Sequence, residues 1–171
     1  MISPRHWFYL AFAAVTLALA VPHDAAARDM VPFGGEYRPG TIVISTSARQ
    51  LYFVLGGGQA IRYPVGVGKA GMAWHGMAQI AEKFLKPAWS PPADIAVANP
   101  NIPLRIPGGS PRNPMGAAAM GLTRGNYGIH GTNEPGSIGH FVSHGCIRMY
   151  NEDILDLYQR VSIGTEVFVL R

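Results

Sequence analysis

Alternating hydrophobic and polar positions in the first half of the chain predict a β-meander. Thr41–Ser47 and Gln50–Leu55 are rich in β-branched and aromatic residues, with the period of two that half-buried strands show. Three consecutive glycines then mark a turn. Residues 59–67 read as the returning strand, in which Pro64 favours a sheet edge or a bulge. The three segments therefore predict neighbouring strands of one sheet.

The second half of the chain predicts further strands separated by loops. Short apolar segments at residues 117–122 and 127–130 have the composition of strands. Before them, residues 87–114 hold eight prolines, which fix φ and remove hydrogen-bond donors. We expect this stretch to be a long, stiff, irregular loop that walls a cleft. The turn residues at 133–136 predict that the chain continues without a helix.

One segment near the C-terminus predicts a short helix. Asn151 is a favourable N-cap, Glu152 and Asp153 place negative charge in the first turn, and apolar residues follow at helical spacing. Gly164 is expected to end the helix, and Thr165–Leu170 to form a last strand. The fold class predicted is mainly β, with one short helix.

The first 27 residues predict a secretory signal rather than part of the fold. Arg5 precedes fifteen mainly apolar residues, Trp7–Val21, and three alanines at 25–27 form a small-residue cleavage site. An uncleaved anchor is the alternative, but a membrane span needs about 20 apolar residues. We therefore expect cleavage near Arg28, a short lead at residues 28–40, and one domain at 41–171 that is secreted as a monomer without stable membrane association.

Charge and cysteine content narrow the function further. The net charge of +4 is spread along the chain, and no Lys/Arg run with interleaved aromatic residues indicates nucleic-acid binding. The single cysteine cannot form an internal disulfide, and a free thiol in an oxidising compartment is a liability unless it has a task. This favours a reactive thiol over a buried, inert one.

That cysteine lies in a histidine-rich stretch. Cys146 follows Ser143-His144-Gly145 directly, and His140 and His130 precede it. A thiol and an imidazole are the components of a Cys/His acyl-transfer site, and a glycine before the thiol allows a tight turn that aims backbone N–H groups at an oxyanion. Residue chemistry leaves all three histidines open as the base.

A metal site is the other chemistry that these side chains suggest. The three histidines and Cys146 lack the paired close spacings of structural zinc motifs, and the glycine-rich stretches lack the strand-to-helix context of a nucleotide loop. We therefore expect neither a metal nor a cofactor.

The pattern of His130, twelve intervening residues and then Ser143-His144-Gly145-Cys146-Ile147-Arg148 resembles the motif of the L,D-transpeptidases that carry the YkuD catalytic domain. The resemblance implies a β-sandwich with one short helix after the catalytic loop. It also assigns Cys146 as the nucleophile and His130 as its base.

The same resemblance implies supporting roles for the neighbouring residues. The Gly131 carbonyl would orient His130, and Ser143, His144 and Gly145 would support the oxyanion, with backbone N–H groups donated by His144, Gly145 and Cys146. Arg148 would bind a substrate carboxylate, and its alternative role is an ion pair with Glu152 or Asp153.

By resemblance, the substrates are a peptidoglycan tetrapeptide donor and an amine acceptor. One alternative resolves the acyl-enzyme with water, as a carboxypeptidase or cross-link hydrolase would. Another is a non-catalytic wall-binding module, against which the intact Cys146 and His130 speak. The family often has Thr-Pro-x-Gly where this chain has Trp74-His75-Gly76-Met77, and Trp74 is expected in the core or stacked on substrate.

Overall fold

The computed structural model describes residues 28–171, so the predicted signal at residues 1–27 lies outside the described residues. The described chain is mainly β, with its only helix of more than two turns after the catalytic motif, as the sequence predicts. Its strands are β1 (Asp29–Pro32), β2 (Ile42–Ser45), β3 (Gln50–Gly56), β4 (Gln59–Pro64), β5 (Val67–Gly68), β6 (Gly76–Leu85), β7 (Ala118–Leu122), β8 (Gly128–His130), β9 (Phe141–Ser143), β10 (Ile147–Arg148) and β11 (Glu166–Leu170). The helices are α1 (Ala93–Ala98), α2 (Asn151–Arg160) and a 3-10 turn at Pro135–Ser137.

Nine strands form one sheet in the order β1-β4-β3-β2-β11-β6-β7-β8-β10, and β5 and β9 form a small parallel pair. The long strand β6 joins the two halves of the large sheet. Its residues 76–79 pair with β11, its residues 80–85 pair with β7, and the register shifts between Ile80 and Glu82. A bulge bends and twists a strand, so the sheet changes direction here and its two halves enclose the core.

Helix α2 covers the β7 side of this core. Ile154 and Leu157 are fully buried, and they belong to one hydrophobic cluster with Met120 of β7 and Met149. Burial of each such side chain contributes about 1.5–3 kcal/mol, so the helix anchors the sheet directly behind the catalytic motif. Among the described residues, no helix is long and apolar enough to cross a bilayer.

The structure corrects four local predictions. The lead at residues 28–40 contains β1, which pairs with β4 at the sheet edge. The proline-rich loop contains α1, and the turn predicted to lack a helix contains the 3-10 helix. Helix α2 ends at Arg160, and Gly164 lies in the following turn with φ +89°. Helices of one or two turns are too short to show a periodic apolar face, which is why the pattern misses them.

Asn151 does not cap helix α2 as predicted. The N-cap is Tyr150, without a side-chain hydrogen bond, and the helix begins at Asn151 itself. The Asn151 Oδ1 accepts hydrogen bonds from the N–H groups of Ala117 (2.9 Å) and Thr132 (3.2 Å), and its Nδ2 donates to the Thr132 carbonyl (2.9 Å). This side chain therefore ties the first turn of α2 to the segment that follows His130.

Candidate active site

Parallel pairing of β8 with β10 brings the predicted nucleophile and base together. Ile129 pairs with Ile147 and His130 with Arg148, so Cys146, just before β10, lies level with Gly128. Side chains two positions apart share one face of a strand and are separated by about 7 Å along it. Cys146 therefore lies in the segment next to β8, two residues along from the level of His130.

Cys146 is half-buried at one end of a cleft of about 350 Å³. Its Sγ lies 3.9 Å from the Asn126 carbonyl oxygen, to which the S–H donates. Burial raises the pKa of the thiol, and a hydrogen bond from the Gly128 backbone and the charge of Arg148 offset this only in part. The thiol is therefore neutral near pH 7.

His130 is a buried and oriented imidazole. Its Nδ1 lies 2.6 Å from the Gly131 carbonyl oxygen, and since a carbonyl only accepts, Nδ1 carries the hydrogen and Nε2 has the free lone pair. The pKa of His130 is lowered to about 4, mainly by burial and also by the Arg148 charge, while the carbonyls of Gly131 and Pro114 act in the opposite direction. At neutral pH the ring can accept a proton.

A tight turn at residues 143–146 sets the position of the thiol. The Ser143 Oγ donates to the Cys146 carbonyl at 2.6 Å and accepts from the Gly145 N–H at 3.1 Å. Gly145 has φ +116°, a region that L-residues rarely adopt, and a Cβ here would collide with the Tyr127 ring. In this conformation the Gly145 N–H donates to the Ser143 Oγ. The remaining candidate donors to an oxyanion are therefore the backbone N–H groups of His144 and Cys146.

The other two histidines of the motif are arranged differently. The side chains of His140 and His144 are both exposed. Neither ring takes part in a hydrogen bond with the side chains or backbone that the structure describes, whereas the His130 ring is held by Gly131. Burial and orientation therefore single out His130, which residue chemistry alone does not.

Trp74 supports the catalytic turn, a role that the sequence does not reveal. It is buried, and its indole Nε1 donates to the Gly145 carbonyl at 3.0 Å. Its ring stacks on Tyr127, with the centroids 5.3 Å apart and the planes at 10°, and the Arg124 guanidinium lies 5.2 Å from its centroid. The indole hydrogen bond and the stacking on Tyr127 thus stabilise the turn at residues 143–146.

Trp74→Phe is expected to make Cys146 more reactive. Phenylalanine keeps an aromatic ring but loses the donor to Gly145, so the turn loosens and the burial that raises the thiol pKa is relaxed. A lower thiol pKa increases the thiolate fraction, so alkylation by iodoacetamide at pH 7 should be roughly threefold faster. Alkylation against pH measures this cleanly, because Cys146 is the only thiol.

Trp89→Phe is the control for this prediction. Trp89 is half-buried and its backbone forms an isolated bridge with Ile106, which is outside the turn at residues 143–146. An alkylation profile for Trp74→Phe that matches both Trp89→Phe and the parent would show that the indole does not position the turn.

Arg148 forms an ion pair that the sequence does not predict. Its Nη1 lies 3.2 Å from Oε2 of Glu134. The alternative prediction of an ion pair with Glu152 or Asp153 is therefore wrong. Asp153 instead lies 3.8 Å from Arg28. The Arg148 Nε is buried and lacks a hydrogen-bond partner among the described residues. Because Glu134 is mostly exposed, the pair contributes little stability, and a role for Arg148 toward a substrate carboxylate stays a prediction.

Among the side chains that the structure describes, no group of three or more from His, Cys, Asp or Glu is arranged to hold a metal ion. The described site thus offers a thiol, an imidazole and backbone donors. This set can carry out nucleophilic acyl transfer.

Comparison with known proteins points to one family. The family model described as the L,D-transpeptidase catalytic domain, YkuD, matches residues 39–169. The chain is 37% identical over 136 residues to the probable L,D-transpeptidase YbiS of Escherichia coli K12, covering 75% of this chain and 43% of that protein. It is 34% identical over 161 residues to the probable L,D-transpeptidase ErfK/SrfK of Salmonella typhimurium, covering 89% of this chain and 48% of that protein. The chain thus spans less than half the length of these relatives.

Solved structures share the fold. The crystal structure of L,D-transpeptidase 3 from Mycobacterium tuberculosis superposes with a TM-score of 0.59 at 19% identity, over 77% of this chain and 60% of that one. This identity is too low to carry more than the fold. It agrees with the mainly β, YkuD-like sandwich predicted from the sequence.

Proposed function

Since this chain belongs to the YkuD family of L,D-transpeptidase catalytic domains, we propose that it acts on peptidoglycan stem peptides through a thioester on Cys146. The observation that supports this most directly is the parallel register of β8 and β10, which brings the segment of Cys146 alongside the strand that ends in an oriented, neutral His130. We also propose that the catalytic domain of residues 41–171 folds together with β1 of the preceding lead, which pairs with β4. We propose further that the protein is exported, cleaved near Arg28, and acts as a monomer in the periplasm or cell wall.

In the acylation step, the Cys146 sulfur attacks the carbonyl between a diamino acid at position three and D-Ala at position four of the donor. The His130 Nε2 accepts the thiol proton while the carbonyl oxygen becomes an oxyanion, which the His144 and Cys146 N–H groups stabilise. Collapse of this intermediate breaks the amide bond. His130 passes the proton to the departing amine of D-Ala, and the thioester remains on Cys146.

In the second step, an acceptor amine attacks the thioester carbonyl. His130 takes a proton from the attacking nitrogen and returns one to the departing sulfur, so the new amide forms and the thiol is regenerated. The acceptor is a second stem peptide or another primary amine.

Timing of the first proton transfer follows from the two pKa shifts. A free thiol is already a weaker acid than imidazolium, and burial raises the pKa of Cys146 while it lowers that of His130. A thiolate–imidazolium pair is therefore costly before substrate binds. Proton transfer should accompany attack on the carbonyl rather than precede it.

Intact mass spectrometry of the purified protein with a tetrapeptide muropeptide tests this function. We expect an adduct equal to the donor minus D-Ala on Cys146, and amide product when a primary amine is added. No adduct would contradict acyl transfer. An adduct that yields only the hydrolysed tripeptide in the presence of the amine would assign the chain to the carboxypeptidase or hydrolase class instead.

A further inference from the structure

Among the residues lining the cleft beside Cys146, Glu82 is the only one that carries a charge. The other walls are mainly apolar or backbone, and include Phe84, Met115 and Tyr127. The chain as a whole has a net charge of +4. The cleft that Cys146 lines thus contains a single carboxylate, in contrast to the positive net charge of the chain.

The geometry of β6 directs this carboxylate into the cleft. Side chains alternate along a strand, so Glu82 and Phe84 share the cleft face, while Lys83 lies on the other face with its Nζ donating to the carbonyls of Tyr158 and Val161. The register shift between Ile80 and Glu82 determines which of these side chains face the cleft.

Gly121 provides the space that the Glu82 side chain occupies. The two residues are register partners in β6 and β7. A Cβ at Gly121 would lie 2.7 Å from both Cγ and Oε1 of Glu82, closer than van der Waals contact permits. The glycine thus lets the glutamate extend across β7, along the wall of the cleft.

Among the side chains that the structure describes, the exposed Glu82 carboxylate has neither an ion-pair nor a hydrogen-bond partner. Glu134, in contrast, pairs with Arg148, and Asp156 with Arg28 and Arg160. The charge of Glu82 is therefore available to a ligand, and apolar walls around one carboxylate suit an aliphatic stem that ends in an ammonium group.

We propose that Glu82 binds the side-chain ammonium of the diamino acid in the acyl donor and so selects donors that carry this cation. The proposal rests on the proposed function, since it names a contact to that substrate. The acceptor amine is the other source of an ammonium group. An attacking amine must lose its proton, whereas a carboxylate stabilises the protonated form, so the group held at Glu82 is one that does not react.

Binding to the Cys146→Ala variant tests the subsite without chemistry. Two tetrapeptides are compared by calorimetry, one with a free side-chain amine and one with that amine acetylated. Adding Glu82→Gln should weaken binding of the free-amine peptide roughly 3- to 10-fold and leave the acetylated peptide unchanged. The difference should shrink at high salt. Glu36→Gln, the same change at an exposed site outside the cleft, should bind both peptides as the parent does.

Equal loss for both peptides, or no loss, in Glu82→Gln would overturn the proposal. With Cys146 intact, the acylation rate should fall for the free-amine donor alone. A fall confined to transfer of the thioester to the acceptor amine would overturn the donor assignment. If Glu82-dependent binding is found but Cys146 forms no adduct, the ammonium subsite stands and acyl transfer fails, so the two hypotheses are separable.

Discussion

Cys146→Ala is expected to abolish the acyl adduct and the release of D-Ala from a tetrapeptide donor. No second thiol exists in the chain to replace it. Cys146→Ser should be nearly as inactive, because a hydroxyl is a far weaker acid than a thiol and the same burial acts against its ionisation. Adduct mass and D-Ala release measure both variants.

Folding of these variants is the necessary control. Cys146 is only half-buried and its sulfur makes one weak contact, to the Asn126 carbonyl. The thermal midpoint should therefore stay close to that of the parent. Normal product formation by a folded Cys146→Ala protein would show that another group is the nucleophile.

His130→Ala is expected to lower the acylation rate by about 10²–10⁴-fold at neutral pH, the usual contribution of a general base. In the parent, the neutral ring is available above its pKa of about 4, so the rate should fall only as the pH approaches that value. In the variant, hydroxide must generate the thiolate. Since burial raises the pKa of Cys146, recovery should continue above the pH at which an ordinary thiol titrates. The acylation rate against pH measures both profiles.

Three further variants test whether the loss is specific to the basic nitrogen of His130. His140→Ala and His144→Ala remove exposed rings and should keep the parent rate and profile. His130→Asn keeps an amide donor for the Gly131 carbonyl but lacks the basic nitrogen, so it should show the same loss as His130→Ala with less disturbance of the buried site. A pH-rescued loss in His144→Ala, with parent activity in His130→Ala, would make His144 the base.

The neutral resting pair has a consequence if the protein is exported, as proposed, to an oxidising compartment. The thiolate, not the thiol, is the species that oxidants attack. Burial keeps Cys146 protonated until a carbonyl is in place, and His130 is then ready to accept the proton. The same two shifts that delay proton transfer therefore slow oxidation of the free cysteine.

Local patterns were sufficient for much of the fold. The meander of β2, β3 and β4, the strands β7, β8 and β11, and helix α2 were all predictable, because a period of two or an apolar helical face is written in neighbouring residues. The motif that contains His130 and Cys146 indicated the family and its chemistry. The chemistry of the residues alone did not identify which histidine is the base.

Contacts between distant segments were decided only by the tertiary structure. The placement of His130 beside Cys146 depends on the register of β8 and β10, and a shift of one residue would turn one side chain to the opposite face. The Trp74 indole bonds to Gly145, the Asn151 side chain bonds to Thr132, and the Glu82 side chain lies over Gly121 at the cleft. In each case the two residues belong to segments that are separated in sequence. The sequence alone determined which groups are available for chemistry, whereas the strand pairing decided which of them meet, because hydrogen-bond register and side-chain burial arise only once the sheet is assembled.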